Sequence, residues 1–327
     1  MRSYGDPSKH KLPLVIRTMY GAAELASRAS GAREKKKSGP ALKPYDERQF
    51  GHPGWWLTYR INPSVATSEV KIDSRGGPLR LRIYRPRSAA PNAAIVYYIH
   101  GGGFYLGSLD ACAWICGEIA ALTGAVVAAV EYRLAPEFPF PAGLDDCRDG
   151  LDWIAKGSID GTDPSRIAVA GDSAGGNLSA ALCLEVRDTG GPKIAHQTLI
   201  YPFLDSKLRG ASWRECATSV VGLAEGEWMV QMYAGEERDN PLVSPLQSSD
   251  LSGLPPAFIV NSDFDVLRDD GFMYADALRQ AGVETRHTNY IRAPHGLLSM
   301  PRLLPVARQM IAEIATEISR HLKVTGS

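Results

Sequence analysis

Residues 167–181 read "IAVAGDSAGGNLSAA", and this stretch decides the fold. An apolar run of strand character ends in Gly171-Asp172-Ser173-Ala174-Gly175, and a helix-compatible run follows. A G-x-S-x-G sequence between a strand and a helix marks a turn so tight that small residues must flank its serine. The turn pushes Ser173 out at the strand's carboxyl end, beside a helix N-terminus whose N–H groups favour developing negative charge. A glycine-rich turn with an incidental serine is the plainer alternative. The strand before and the helix after favour a nucleophile.

The flanking sequence has the matching rhythm. Short, nearly continuous apolar runs stand at 93–99, 125–131, 166–171, 197–202 and 257–262, with helical stretches at 110–122, 143–156, 175–187 and 269–281 between most of them. "VETRHTNYI" (283–291) reads as a last strand and 302–322 as a closing amphipathic helix. Unbroken apolar strands alternating with helices predict a parallel sheet covered on both faces. Before them, "SEVKID" and "LRLRIYRP" flank "SRGG" and alternate in polarity, which predicts an antiparallel hairpin.

Two segments break this rhythm. In residues 1–65, "LPLVIRTMYGAAELASRA" spaces its apolar residues for an amphipathic helix, and the charged "GAREKKKSGP" reads as a solvated loop. Residues 204–240 are too long for a simple crossover and predict two or three helices over the sheet's carboxyl edge. Four of the six tryptophans (Trp55, Trp56, Trp213, Trp228) fall in these two segments. They are either ordinary core aromatics or the walls of an apolar pocket in a cap. The expected division is a catalytic domain of residues 66–203 and 241–327, with 1–65 and 204–240 as cap.

Composition removes several function classes. Thirty-six basic residues balance 36 acidic ones, so no net field draws the chain to nucleic acid or an anionic membrane. Five cysteines without a CxxC pair argue against a disulfide framework or a zinc site, and Cys112 and Cys116 read as buried free thiols. The N-terminal apolar run is too short for a signal-peptide core, and no segment approaches the roughly 18 apolar residues of a membrane span. The expectation is a soluble, cytoplasmic protein.

A serine hydroxyl needs a base, and the base needs an orienting carboxylate; in this fold they follow in the order Ser, Asp or Glu, His. Of seven histidines, only His196, His287, His295 and His321 follow Ser173. His295 alone falls in a loop after the last strand, beside Pro294 and Gly296. For the acid, "VNSDFDVLRDDG" offers Asp263, Asp265, Asp269 and Asp270. The last two fall in a helix's first turn, where carboxylates ordinarily serve the dipole. Spacing does not choose between Asp263 and Asp265.

"YYIHGGGFYLGS" (97–108) sets three glycines after a strand. They mimic a dinucleotide-binding turn, but Gly101-x-Gly103-x-x-x-Gly107 is not G-x-G-x-x-G, and the helix begins only near Ser108 or Asp110. An HGGG loop after a strand upstream of the elbow fits the other use, backbone N–H groups forming half an oxyanion hole.

Taken in order, "HGGGF", "EYRLAPEFPFPAGLDD", "GDSAGGN", "SPL", "LPPAFIVNSDFDVLRDDG" and "HGLLSM" resemble the hormone-sensitive-lipase-like family of α/β-hydrolase carboxylesterases, the bacterial family IV type. The resemblance spans residues 68–322. It implies an α/β-hydrolase fold with a helical cap built from the N-terminal segment and an insertion after the sixth strand. It implies that Asp265, the first aspartate of D-x-L-x-D-[ED]-G, completes the triad with Ser173 and His295. It also implies that the N–H groups of Gly102, Gly103 and Ala174 form the oxyanion hole, and that His100 holds its loop. One departure is His295-Gly296-Leu297 where the family has His-Gly-Phe.

The expected activity is hydrolysis of short-chain or moderately apolar carboxylic esters through an acyl-enzyme, with no cofactor and no metal. The expected partner is a small ester, with no nucleic acid or membrane; the oligomeric state stays open, a homodimer included. Two other functions share the fold: acyl transfer to an acceptor other than water, and a non-catalytic receptor like the plant gibberellin receptors, which resemble the family but lack the base.

Overall fold

A computed structural model describes residues 61–217 and 222–323. The amphipathic run, the charged stretch, Trp55 and Trp56, expected in the N-terminal segment, lie outside the described residues.

The sheet forms because its central strands are covered on both faces, and at 93–99, 126–130 and 167–171 the buried side chains are apolar. β3 (Ala93–Ile99) is buried along its whole length, as are β4 (Val126–Val130) and β6 (His196–Ile200). Alternate side chains of β3 feed two cores. Ile95, Tyr97 and Ile99 pack with α2 (Ala142–Ala155), α3 (Ala174–Thr189) and α6 (Arg268–Gln280). Val96 and Tyr98 pack on the other face with α1 (Ala113–Thr123) and α7 (Val306–Leu322).

The hairpin β1 (Val65–Ser74) and β2 (Gly77–Pro86) is antiparallel, as expected, and β2 also pairs antiparallel with β4. The remaining neighbours are parallel, and the eight strands run β1-β2-β4-β3-β5-β6-β7-β8, with β5 (Thr162–Asp172), β7 (Ala257–Phe264) and β8 (Thr285–Pro294). The register sets Ile99 beside Gly171, Asp172 beside Ile200 and Ile200 beside Val260. The loops leaving β3, β5, β7 and β8 therefore gather at one edge, where open α/β sheets place their ligands.

Residues 204–240 carry α4 (Ser212–Glu215), α5 (Leu223–Ala234) and a 3-10 turn (Gly235–Asp239). All five cysteines are buried and free.

Candidate active site

The turn from β5 into α3 is as tight as its sequence predicts. Ser173 has φ 54° and ψ −117°, a conformation that costs a residue with a side chain roughly 1–3 kcal/mol and persists only where its surroundings impose it. Three backbone bonds impose it. The Ser173 N–H donates to Ile200 O (2.9 Å), while its carbonyl accepts from Asn177 N–H (3.1 Å) and Phe203 N–H (3.2 Å). A Cβ on Gly171 would lie 2.3 Å from Gly175 O, and one on Gly175 would lie 2.1 Å from Ile99 O. Both flanking positions therefore demand glycine.

The end of β8 delivers His295, followed by Gly296 in the left-handed region at φ 68°. His295 Nε2 stands 3.1 Å from Ser173 Oγ, and His295 Nδ1 stands 2.7 Å from Asp265 Oδ2. Asp265 is buried, and its other oxygen accepts the Leu267 N–H at 2.8 Å. With the carboxylate on Nδ1, that nitrogen carries the proton and Nε2 faces Ser173 as an acceptor. The Tyr201 ring lies against the imidazole, centroids 4.9 Å apart at 64°. Burial presses the His295 pKa down, but the charge and hydrogen bond of Asp265, helped by Asp172, outweigh it and leave it above its ordinary value.

The glycine loop stands opposite. The Gly101 N–H donates to Asp172 Oδ1 (2.9 Å) and the Leu106 N–H to Gly102 O (2.8 Å). Gly102 (φ 131°) and Gly103 (φ 61°) take conformations open to glycine, and a Cβ on Gly102 would lie 2.0 Å from Leu106 O. No acceptor among the described residues takes the N–H groups of Gly102, Gly103 or Ala174. His100 holds this loop: its Nδ1 donates to Gly101 O (2.9 Å), and its ring stacks on Tyr132, whose hydroxyl donates to His100 O. Burial lowers the His100 pKa, so its ring is neutral near pH 7.

Packing places the other residues that the sequence singled out. Asp263, the other candidate acid, is buried at the end of β7, and its Oδ2 has no partner among the described residues. Asp269 and Asp270 do not merely serve their own helix dipole. Asp270 Oδ2 accepts the N–H groups of Leu204 and Asp205, and Asp269 Oδ2 accepts that of Ser212, tying residues 204–212 to the turn after Asp265. Trp213 is core, 1% exposed and packed under Gly226 of α5. Trp228 is half-buried, its ring edge-on to Tyr105 at 5.1 Å, and the neighbouring Met229 Sδ would lie 3.2 Å from a Cβ on Gly103. Helix α5 thus lies against the glycine loop.

Sequence reading missed Tyr98, Tyr132, Tyr201 and Met229, whose places depend on strand register and on packing across the sheet edge. Among the described residues, no group of three or more His, Cys, Asp or Glu side chains is placed to hold a metal ion, and no helix is long and apolar enough to cross a membrane.

The chain is similar to known proteins over most of its length. The family described as alpha/beta hydrolase fold matches residues 96–299. Carboxylesterase NlhH of Mycobacterium tuberculosis is 38% identical, over 97% of this chain and 96% of that protein. Ethyl acetate hydrolase of Pseudomonas putida is 32% identical, over 84% of this chain and 89% of its own length. Among solved structures, an ester hydrolase from the metagenome of Lake Arreo superposes with a TM-score of 0.85 at 30% identity, covering 96% of this chain and 100% of the other. The Pyrobaculum calidifontis esterase superposes at 0.80 with 33% identity, covering 96% and 100%.

Proposed function

This chain belongs to the α/β-hydrolase-fold family, among its hormone-sensitive-lipase-like carboxylesterases, and we propose that Ser173, His295 and Asp265 perform its ester hydrolysis. The observation that carries the assignment is the hydrogen-bond relay from Ser173 Oγ through His295 to Asp265, 3.1 Å and 2.7 Å long.

His295 Nε2 takes the proton of Ser173 as its Oγ attacks the ester carbonyl. The negative charge that develops on the carbonyl oxygen is met by the N–H groups of Gly102, Gly103 and Ala174. Each such donor is worth about 10²–10³ in rate. Asp265 keeps the proton on Nδ1 and stabilises the imidazolium, which then protonates the departing alcohol. Water, deprotonated by the same imidazole, attacks the acyl-enzyme and releases the acid. The strained Ser173 backbone holds Oγ at the helix N-terminus in the free enzyme, so little rearrangement precedes attack.

The substrate in this reading is a small, uncharged, moderately apolar ester. Residues 204–240, with the N-terminal segment 1–65, form the cap on the catalytic domain of 66–203 and 241–327. The placing of Trp228 and Met229 by the glycine loop supports an apolar wall there. A relative named for ethyl acetate hydrolysis supports a short ester. The balanced charge supports an enzyme that binds neither nucleic acid nor an anionic membrane, and in this reading it is cytoplasmic and able to form a homodimer. The base within reach of Ser173 favours an enzyme over a receptor of the same fold.

The test is covalent. An organophosphate should label the native protein at Ser173 alone, and Ser173→Ala should lower kcat by about 10⁶-fold. Labelling of another serine, or near-normal turnover by the alanine variant, overturns the assignment.

A further inference from the structure

Asp172 lies next to the nucleophile, yet the mechanism above gives it no role. Its side chain turns away from the path of Ser173 and meets the end of β3. One oxygen, Oδ1, accepts two bonds from that strand and its continuation: the Tyr98 hydroxyl at 2.8 Å and the Gly101 N–H at 2.9 Å. The other, Oδ2, fills the space where a Gly101 side chain would stand, 2.5 Å from its ideal Cβ position. Residue 101 must be glycine because this carboxylate sits on it.

We propose that Asp172 is a positioning residue that pins the glycine loop to the nucleophile elbow, so that donors from two separate strands converge on one oxyanion. Ala174 leaves from β5, whereas Gly102 and Gly103 leave from β3. The β3–β5 ladder pairs Ile99 with Gly171 and stops there. Beyond it, Asp172 continues the attachment by a side chain, fixing the Gly101 peptide while the next two N–H groups stay without acceptors. An oxyanion hole works only if its donors hold position within about 0.5 Å, which a loop of three glycines does not secure by itself.

The carboxylate has a second effect. The groups that face His295 are Asp265 after β7, Asp172 at the end of β5, Ser173 Oγ on the elbow and the Tyr201 ring after β6. Two of these are anions, and both favour the charged imidazole. Burial holds the Asp172 carboxyl itself above its ordinary value, with the bonds from Tyr98 and Gly101 opposing.

The proposal rests on the oxyanion-hole reading above, and four variants separate the two. Asp172→Asn keeps an oxygen that accepts from both Tyr98 and Gly101 but removes the charge. Its plateau kcat should stay within about tenfold of wild type, while the acidic midpoint of kcat/KM moves to lower pH because the imidazole loses one of its two anions. Asp172→Ala removes the pin. Its kcat should fall by about 10²-fold with KM little changed, and inhibition by a trifluoromethyl ketone should weaken by a similar factor. Tyr98→Phe removes one of the two attachments without touching the charge, and should lower kcat by a few-fold with no shift in the midpoint, even if the alanine variant fails to fold. Gly102→Ala, whose Cβ would collide with Leu106 O, tests the hole itself. If Gly102→Ala keeps wild-type kcat, the oxyanion-hole reading fails. If it is inactive while Asp172→Ala keeps wild-type kcat, the positioning role fails alone; if Asp172→Asn leaves the acidic midpoint in place, the effect of the charge on His295 fails.

Discussion

Replacing Asp265 by Asn separates geometry from proton bookkeeping. The aspartate accepts two donors, His295 Nδ1–H at 2.7 Å and the Leu267 N–H at 2.8 Å. An asparagine of the same shape has one acceptor to offer, so one of the two must face its amide N–H. The backbone N–H of Leu267 cannot move its proton, whereas the imidazole can. The amide oxygen therefore stays with Leu267, the amide nitrogen donates to Nδ1, and the imidazole proton shifts to Nε2. That nitrogen then points a proton at Ser173 Oγ and no longer accepts one. The expected loss is about 10⁴-fold in kcat near neutral pH, or about 5 kcal/mol of transition-state stabilisation. Asp263→Asn alters a buried carboxylate that touches neither His295 nor Ser173, and should cost less than about tenfold in kcat. Steady-state hydrolysis of p-nitrophenyl acetate by both variants across pH, with thermal melts to establish folding, reads the difference. A larger loss in the Asp263 variant, or Asp265→Asn within tenfold of wild type, would refute the reasoning.

Because Asp265 and Asp172 outweigh burial and raise the His295 pKa, wild-type kcat/KM should fall in acid with a midpoint above the ordinary histidine value of about 6.5; a pH–rate profile with the midpoint below it would contradict the electrostatics. Trp213→Ala should lower stability by about 3–5 kcal/mol and leave the preference among acyl esters unchanged, as a core tryptophan requires. Trp228→Ala should leave the melting temperature nearly unchanged and shift kcat/KM toward longer acyl chains by about tenfold, read from a panel of p-nitrophenyl esters. Asp270→Ala should destabilise by about 2–4 kcal/mol by orphaning the Leu204 and Asp205 N–H groups. Asp270→Asn keeps an acceptor for both and should match or exceed wild-type stability at pH 7. Burial raises the Asp270 carboxyl well above its ordinary value, so its charged form is penalised in the folded protein. That penalty, and with it the advantage of Asn, fades as pH falls through the raised value.

The sheet was legible because its physics is local. A strand covered on both faces is easiest to read when it is unbroken and apolar, as "AAIVYYI" is. Ser173 was legible because the elbow admits only small flanking residues. His295 stood out as the one downstream histidine in a loop after the last strand. The acid was not legible from spacing, since Asp263 and Asp265 leave the same strand two residues apart; only the family motif distinguished them, and the hydrogen bond to His295 belongs to Asp265. Asp269 and Asp270 look like helix-dipole partners in sequence because their acceptor work is done for N–H groups far away in the chain, at 204, 205 and 212. Trp213 and Trp228 share one insertion, and only packing separates the buried one from the one on the glycine loop. Asp172 was written inside the elbow motif, but its partners Tyr98 and Gly101 come from a strand some seventy residues earlier.

The central claim is that ester hydrolysis passes through an acyl group on Ser173. Mixing the enzyme with p-nitrophenyl acetate, quenching in acid within the first turnovers and mapping the acetylated peptide by mass spectrometry tests it directly. The account predicts a burst of nitrophenol stoichiometric with enzyme, where deacylation is the slower step, and a single acetyl group on the peptide containing Ser173 that is absent from Ser173→Ala. Acetylation of a different residue during turnover, or steady hydrolysis by Ser173→Ala at the wild-type rate, would contradict it.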